Sequence, residues 1–205
     1  MSHQPVWVNL RAHLSSTGLV PARPVMSVLP EILKIIPVAH SRLFNIERVD
    51  LRFANGNEAS FERLVGQGSG AVLVVPLLSD DQMLLIREYA VGLERYELGF
   101  VKGRIDAGET PPQAAHRELR EETGFGAQSV TLLATVSLTP TYSNYRTHVF
   151  VARDLFPAPL PGDEPETLET VPWPLRDLHG LRLREDFSDA RNLLATYLVA
   201  EELAP

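Results

Sequence analysis

The 205-residue chain contains no cysteine, which excludes disulfides, zinc–thiolate sites and thiol nucleophiles. That absence suits a reducing compartment, and a cytoplasmic location is expected. Positive charge is scarce: 19 Lys and Arg stand against 26 Asp and Glu, for a formal charge of -7. General nucleic-acid and membrane-surface binders need a basic face, so neither partner is expected. Long apolar runs are missing as well; none approaches the roughly 18 residues of a membrane-spanning helix. The first 30 positions lack acidic residues, and Arg11 and Arg23 sit among Ser15, Ser16 and Thr17. No continuous apolar core follows early positive charge there, as a secretory signal would require. Residues 1–38 read as an N-terminal tail with Pro5, Pro21 and Pro24, expected to be flexible. A transit peptide is the weaker alternative, and Met26 is an alternative start that the intact mass of the native protein would decide.

What is present describes an ordinary globular chain. A hydrophobic fraction of 44% and a charged fraction of 22% supply one domain with a sizeable core. Residues 39–66 read as a β-hairpin region. Phe44, Ile46, Val49, Leu51 and Phe53 precede Asn55-Gly56, and Phe61, Leu64 and Val65 follow. One slip in the alternation suggests a bulge, and Asn-Gly suits a turn in which both residues take positive φ. A two-stranded unit is marginal alone, so it is expected to pack on the main domain or on another subunit. The glycine-rich GQGSG (Gly66 to Gly70) marks a joint, with a main domain over residues 67–205. There AVLVVPLL reads as a buried strand, followed by QMLLIREY, Tyr96 to Val101, Val130 to Leu138, His148 to Leu155 and Leu168 to Trp173. Ser188 to Leu203 has helical period, with Ser188 or Asp189 as its cap. Strands and helices in this order favour an α+β or sandwich-type α/β/α arrangement over a doubly wound sheet.

The chemistry concentrates in GRIDAGETPPQAAHRELREETGF, Gly103 to Phe125. Thr110 is a suitable N-cap, Pro111 suits the first helical position, Gln113 completes a capping box, and Gly124 is a left-handed stop. A helix from about Pro111 to Thr123 follows. On it Glu118 and Glu122 lie one turn apart, Glu121 falls within the same arc, and Arg117 stands at i,i+4 to Glu121. Carboxylates so crowded need a counter-charge. Their oxygens suit a hard divalent cation, and the alternative is a solvated face with arginines nearby. Glu109 at the loop–helix junction can anchor the loop or pair with an arginine, and Gly103 and Gly108 let the loop fold tightly. His40, His116 and His148 have no metal-like spacing and read as structural.

Gly103, Glu109, Arg117, Glu118, Leu119, Glu121, Glu122, Gly124 and Phe125 match every fixed position of G-x5-E-x7-R-E-U-x-E-E-x-G-U, where U is apolar. The chain thus resembles the Nudix hydrolase superfamily. HSRLFNIERVDLRFANG, LIREYAVGLERYELGFVKGRIDAGE and GDEPETLETVPWPL look like its ADP compounds hydrolase (NudE-type) members, beside the ADP-ribose pyrophosphatases. The resemblance implies an α/β/α sandwich with a mixed sheet, here with an N-terminal antiparallel hairpin subdomain. It implies hydrolysis of ADP-ribose, NADH and diadenosine polyphosphates to AMP or a related nucleotide, with Mg2+ or Mn2+ as cofactor. It also implies a homodimer through the hairpin region. Glu118 and Glu122 would lead the metal ligands, with Glu121, Glu97 and Gly103 in support. Arg117 would hold a glutamate in place, and Glu166 or Glu164, or the helix carboxylate Glu121, would be the base. Arg87 and Tyr89 on the strand and Tyr142 and Arg146 in the loop TPTYSNYR would meet substrate. For Arg87 an ordinary salt bridge to Glu88 or Glu97 is the alternative, for Tyr142, Tyr145 and Arg146 an ordinary surface loop, and for Glu164 and Glu166 a solvated acidic loop. ELGFVKG stands where ADP-ribose hydrolases commonly carry the shorter ELPAG, and Ala90 where they often have a second arginine. Other readings are a hydrolase for a nucleoside triphosphate or capped RNA, and a non-catalytic ADP-ribose or NAD sensor, which usually loses box carboxylates.

Overall fold

The computed structural model describes residues 28–66 and 68–204. The proline- and arginine-containing stretch up to residue 27, with the question of Met26 as a start, lies outside them. Strand β4 (Ala71–Pro76) is the centre of the main domain and is buried along its whole length. Side chains alternate across a strand, so its two faces serve different cores. Val72 and Val74 pack with Ala114, Ala115 and Leu119 of helix α1 (Pro111–Thr123). Leu73 and Val75 pack with Ala195 and Val199 of helix α3 (Ala190–Glu202). A strand covered on both sides reads as a continuous apolar run, which is why AVLVVP shows no polar alternation.

Around β4 lies a mixed four-stranded sheet in the order β7-β4-β9-β8. It uses β7 (Val101–Arg104), β8 (Phe125–Ser137) and β9 (Arg146–Pro157). The β4–β9 pair is parallel, while β4–β7 and β8–β9 are antiparallel. A second, antiparallel sheet places β5 (Gln82–Ala90) between β10 (Glu169–Pro174) and β6 (Arg95–Gly99). With α1 on one face and α3 on the other, the arrangement is the expected α/β/α layering. Strand β8 starts earlier than its apolar pattern suggests, because Gly124 turns the chain directly from α1 into Phe125. Helix α2 (Leu178–Arg182) is too short to display a period; Asp177 caps it by accepting from the Gly180 N–H at 3.1 Å.

The N-terminal unit differs from expectation in four ways. It is a three-stranded antiparallel sheet, β1-β2-β3, not a two-stranded hairpin. Strand β1 (Glu31–His40) begins inside the stretch read as tail, so the boundary at residue 38 falls within a strand. Its partners are β2 (Asn45–Arg52) and, beyond it, β3 (Glu58–Val65). EILKIIPVAH mixes polar and apolar residues without clean alternation because nearly all of it is exposed. The register of β2 with β3 is unbroken; the irregularities lie between β1 and β2, at Ile32/Lys34 and Pro37/Ala39. At Asn55-Gly56 only Gly56 takes a positive φ, +85°. The longer Phe53–Asn57 connection closes instead on the Asn55 side chain, which accepts from the Asn57 N–H at 3.0 Å.

Candidate active site

Both ends of α1 are fixed locally. Gln113 Oε1 accepts from the Thr110 N–H at 2.8 Å, and Gly124, at φ +76°, donates its N–H to the Arg120 carbonyl. Leu119 and the two alanines sink into the core, which turns the remaining flank toward the loop of residues 162–168.

Arg117 organises the glutamates nearest the preceding loop. Its Nε and Nη2 each donate to Glu109 at 3.0 Å, and Nη2 also reaches the Arg104 carbonyl at 2.9 Å. Nη1 donates to Glu118 Oε1 at 2.7 Å and to Glu121 Oε2 at 2.9 Å. The guanidinium holds the Glu109 carboxyl below the usual range, and the Glu109 carboxylate, first among its partners, raises Arg117 in turn. The deeper flank behaves oppositely. Burial pushes Glu118 up to about 7 against the pull of Arg117. Burial, then repulsion from Glu118, pushes Glu122 up to about 9. Glu122 accepts only a 3.3 Å hydrogen bond from the Lys102 N–H, which is too little to stabilise a buried negative charge. Gly103 leaves room for the Glu118 carboxylate in this position, because a Cβ there would lie 1.8 Å from the Glu118 carboxyl carbon.

A cleft of about 360 Å³ joins Glu118, Glu121 and Glu122 to Glu164 and Glu166 of the loop. The structure thus gathers the helix carboxylates with both loop glutamates singled out from the sequence. Glu166 accepts from the Tyr96 hydroxyl at 2.8 Å, and Tyr96 stacks edge-on with Tyr89 at 5.4 Å. Burial, with Glu88 and Asp163 nearby, raises Glu164.

Other candidates stand apart. Glu97 lines a neighbouring cleft of about 450 Å³ with Glu88, Lys102 and Arg191. Its carboxylate accepts from Arg95 Nε at 2.6 Å and from the Ser188 N–H and hydroxyl at 3.0 and 2.8 Å. Arg87 pairs with neither Glu88 nor Glu97; register puts it opposite Leu98, and it binds Glu169 at 2.9 Å and Asp186 at 3.1 Å. Tyr142 lies against the N-terminal sheet, in a hollow shared with Ile32, Phe53 and Phe61, and Arg146 is exposed at the start of β9.

Glu88 and Lys102 were missed by sequence reasoning. Glu88 acts electrostatically on both Glu122 and Glu164. Its alternation with the buried Ile86 was the signal, obscured by Arg87 and Tyr89 on either side.

Among the described residues, no three His, Asp or Glu side chains are gathered into a ready-made metal cage. The chemistry of the donors nevertheless fits a hard cation: two largely buried carboxyls, one turn apart, of which Glu118 has a share of the Arg117 guanidinium and Glu122 has the Lys102 N–H and the nearby Lys102 charge.

The comparisons with known proteins agree with this geometry. Residues 69–197 match the NUDIX domain model, and residues 30–63 match the NudE-type Nudix hydrolase N-terminal domain model. This chain belongs to the Nudix hydrolase family. It is 50% identical over 174 residues to the ADP compounds hydrolase NudE of Escherichia coli, covering 85% of this chain and 93% of that protein. It is 27% identical over 171 residues to the ADP-ribose pyrophosphatase of Bacillus subtilis, covering 80% and 92%. A crystal structure of an ADP compounds hydrolase superposes with a TM-score of 0.79 at 49% identity, covering 85% of this chain and 94% of that one. The chain is a pyrophosphohydrolase of the Nudix type, and no helix among its described residues is long and apolar enough to cross a membrane.

Proposed function

We propose that this Nudix hydrolase cleaves the pyrophosphate bond of ADP-linked small molecules, such as ADP-ribose, NADH and diadenosine polyphosphates, and releases AMP or a related nucleotide. The observation that carries the reading is the buried Glu118–Glu122 pair, short of counter-charge, facing Glu164 and Glu166 across one cleft. The similarity to an ADP compounds hydrolase and an ADP-ribose pyrophosphatase points to the ADP-linked class.

Glu118 and Glu122 would hold a divalent cation, Mg2+ or Mn2+, with Glu121 and the Gly103 backbone beside them. When bound, such an ion neutralises the diphosphate and acidifies water. Arg117 keeps Glu109, Glu118 and Glu121 at fixed positions rather than touching substrate, since its donors are already engaged. Glu166, steadied by the Tyr96 hydroxyl, accepts the proton of the attacking water, and Glu164 or Glu121 is the alternative base. Glu97 would support the same cation only if it gave up its bonds to Ser188 and Arg95. Tyr89, packed on Tyr96, does not line this cleft, and neither do Arg87, Tyr142 and Arg146; these four would need loop movement or a second subunit to reach substrate. A homodimer is consistent with the exposed Ile32, Ile35, Val38 and Phe44 of the N-terminal unit, and the absence of cysteine with a cytoplasmic location.

Incubation with Mg2+ and, separately, ADP-ribose, NADH, diadenosine triphosphate, dGTP and capped RNA tests the reading by chromatography of the products. AMP from the ADP-linked substrates is expected. Products from dGTP or capped RNA alone, or from no substrate, would overturn it.

A further inference from the structure

The carboxylates of the cleft account for the cation, but a diphosphate also needs donors from the protein, and most basic side chains around the site are already committed. Arg117 is spread over Glu109, Glu118, Glu121 and a backbone carbonyl. Arg191 is closed onto Asp189 through Nε and Nη2, and Arg95 onto Glu97 and the Glu185 carbonyl. Arg87 serves Glu169 and Asp186. Lys102 differs from these. Its closest carboxylate, Glu88 Oε2, is 3.8 Å from Nζ, beyond hydrogen-bonding distance.

Lys102 is also well placed to meet a diphosphate. It borders the 450 Å³ cleft of Glu88 and Arg191 and, on the other side, a cleft of about 410 Å³ that includes Glu118, Glu121 and Glu164. Its own N–H is bonded to Glu122. Its side chain is only 21% exposed, so the ammonium is partly desolvated. Gly99 makes room for it: a Cβ there would come within 3.0 Å of Nζ. An ammonium with spare donors, sheltered from water between two openings, is a point charge suited to phosphate oxygens.

We propose that Lys102 binds the diphosphate of the substrate, with one phosphate on the Glu118–Glu122 side and the attached organic group entering the cleft of Glu88 and Arg191. This deepens the functional reading above and rests on it. Lys102→Met keeps the backbone N–H to Glu122 and most of the stem, and removes only the charge; Lys102→Arg keeps the charge. With ADP-ribose and Mg2+, Lys102→Met is expected to raise KM about 10- to 100-fold, the worth of one hydrogen bond to a charged group. Lys102→Arg should recover part of that loss, and the Mg2+ concentration giving half-maximal rate should stay within about twofold of wild type. A KM within twofold of wild type in a folded Lys102→Met protein overturns the proposal, as does a loss that appears only in the Mg2+ requirement. If the wild type hydrolyses no ADP-linked compound, the functional reading fails first. Equilibrium binding of ADP-ribose in Mg2+ then decides Lys102: at least tenfold weaker binding by Lys102→Met supports it, and equal binding, or none by the wild type, overturns it.

Discussion

The two sides of helix α1 solve the same problem differently. Toward the preceding loop, Glu109 and Glu121 meet Arg117, and Glu109 ionises more readily than a free carboxyl. Toward the 162–168 loop, Glu118 has only a share of that guanidinium and Glu122 has one backbone N–H, so burial raises both carboxyls, Glu122 further than Glu118. The first side is complete within the chain and fixes structure. The second is left incomplete, and a group whose charge is disfavoured until a cation arrives is suited to binding one.

The strongest way to break this contrast is Glu122→Gln. Turnover of ADP-ribose should fall by about 10²- to 10⁴-fold if Glu122 is the metal ligand proposed above. The metal-free protein, by contrast, should become more stable by about 1–3 kcal/mol at pH 7, since the amide mimics the protonated acid. Steady-state kinetics and urea unfolding with EDTA read the two effects. Near-normal turnover would remove Glu122 from the site. Arg117→Met attacks the completed side and should do the reverse, costing about 2–3 kcal/mol of stability by stranding three partly buried carboxylates; urea midpoints with and without Mg2+ measure it.

The same contrast sets a pH dependence. Glu118 and Glu122 have folded-state values raised above those of the unfolded chain. Their contribution to stability is therefore fully present below the ordinary carboxylate range and is lost as pH rises through about 7 and then about 9. Metal-free protein should melt at progressively lower temperature between pH 5 and pH 9, and Mg2+ should oppose that decline, since it favours the ionised pair. A metal-free melting temperature that rises steadily over this range would contradict the inverted electrostatics of the deeper flank.

Much of this was readable from the residues. Thr110, Pro111, Gln113 and Gly124 delimit α1 through local capping chemistry, which short-range sequence records directly. The spacing of Glu118, Glu121 and Glu122 brings all three to the border of one cleft for the same reason. What the sequence could not assign was partnership across the fold. Arg87 meets Asp186, almost a hundred positions away, and Asp186, bound first by Arg184, is drawn down to about 2. Glu88 and Lys102 approach the helix only because β5 and β7 bring them there. Strand β1 escaped notice because an exposed strand lacks the burial that imposes alternation.

The smallest expected effect comes from a residue without a side chain. At Gly103 an added methyl would coincide with the Glu118 carboxylate, with calculated separations of 1.8 to 2.3 Å from its three terminal atoms. Those atoms are the far end of a flexible side chain, so the backbone can stay while the carboxylate swings aside. Gly103→Ala should therefore leave urea stability within about 1 kcal/mol of wild type and lower turnover roughly tenfold, with a higher Mg2+ requirement. Every carboxylate is retained in this variant, and only the position of one changes. If turnover were unaffected, the flank would be acting through its net charge alone; if it fell as far as in Glu122→Gln, the position of Glu118 would matter as much as the presence of Glu122.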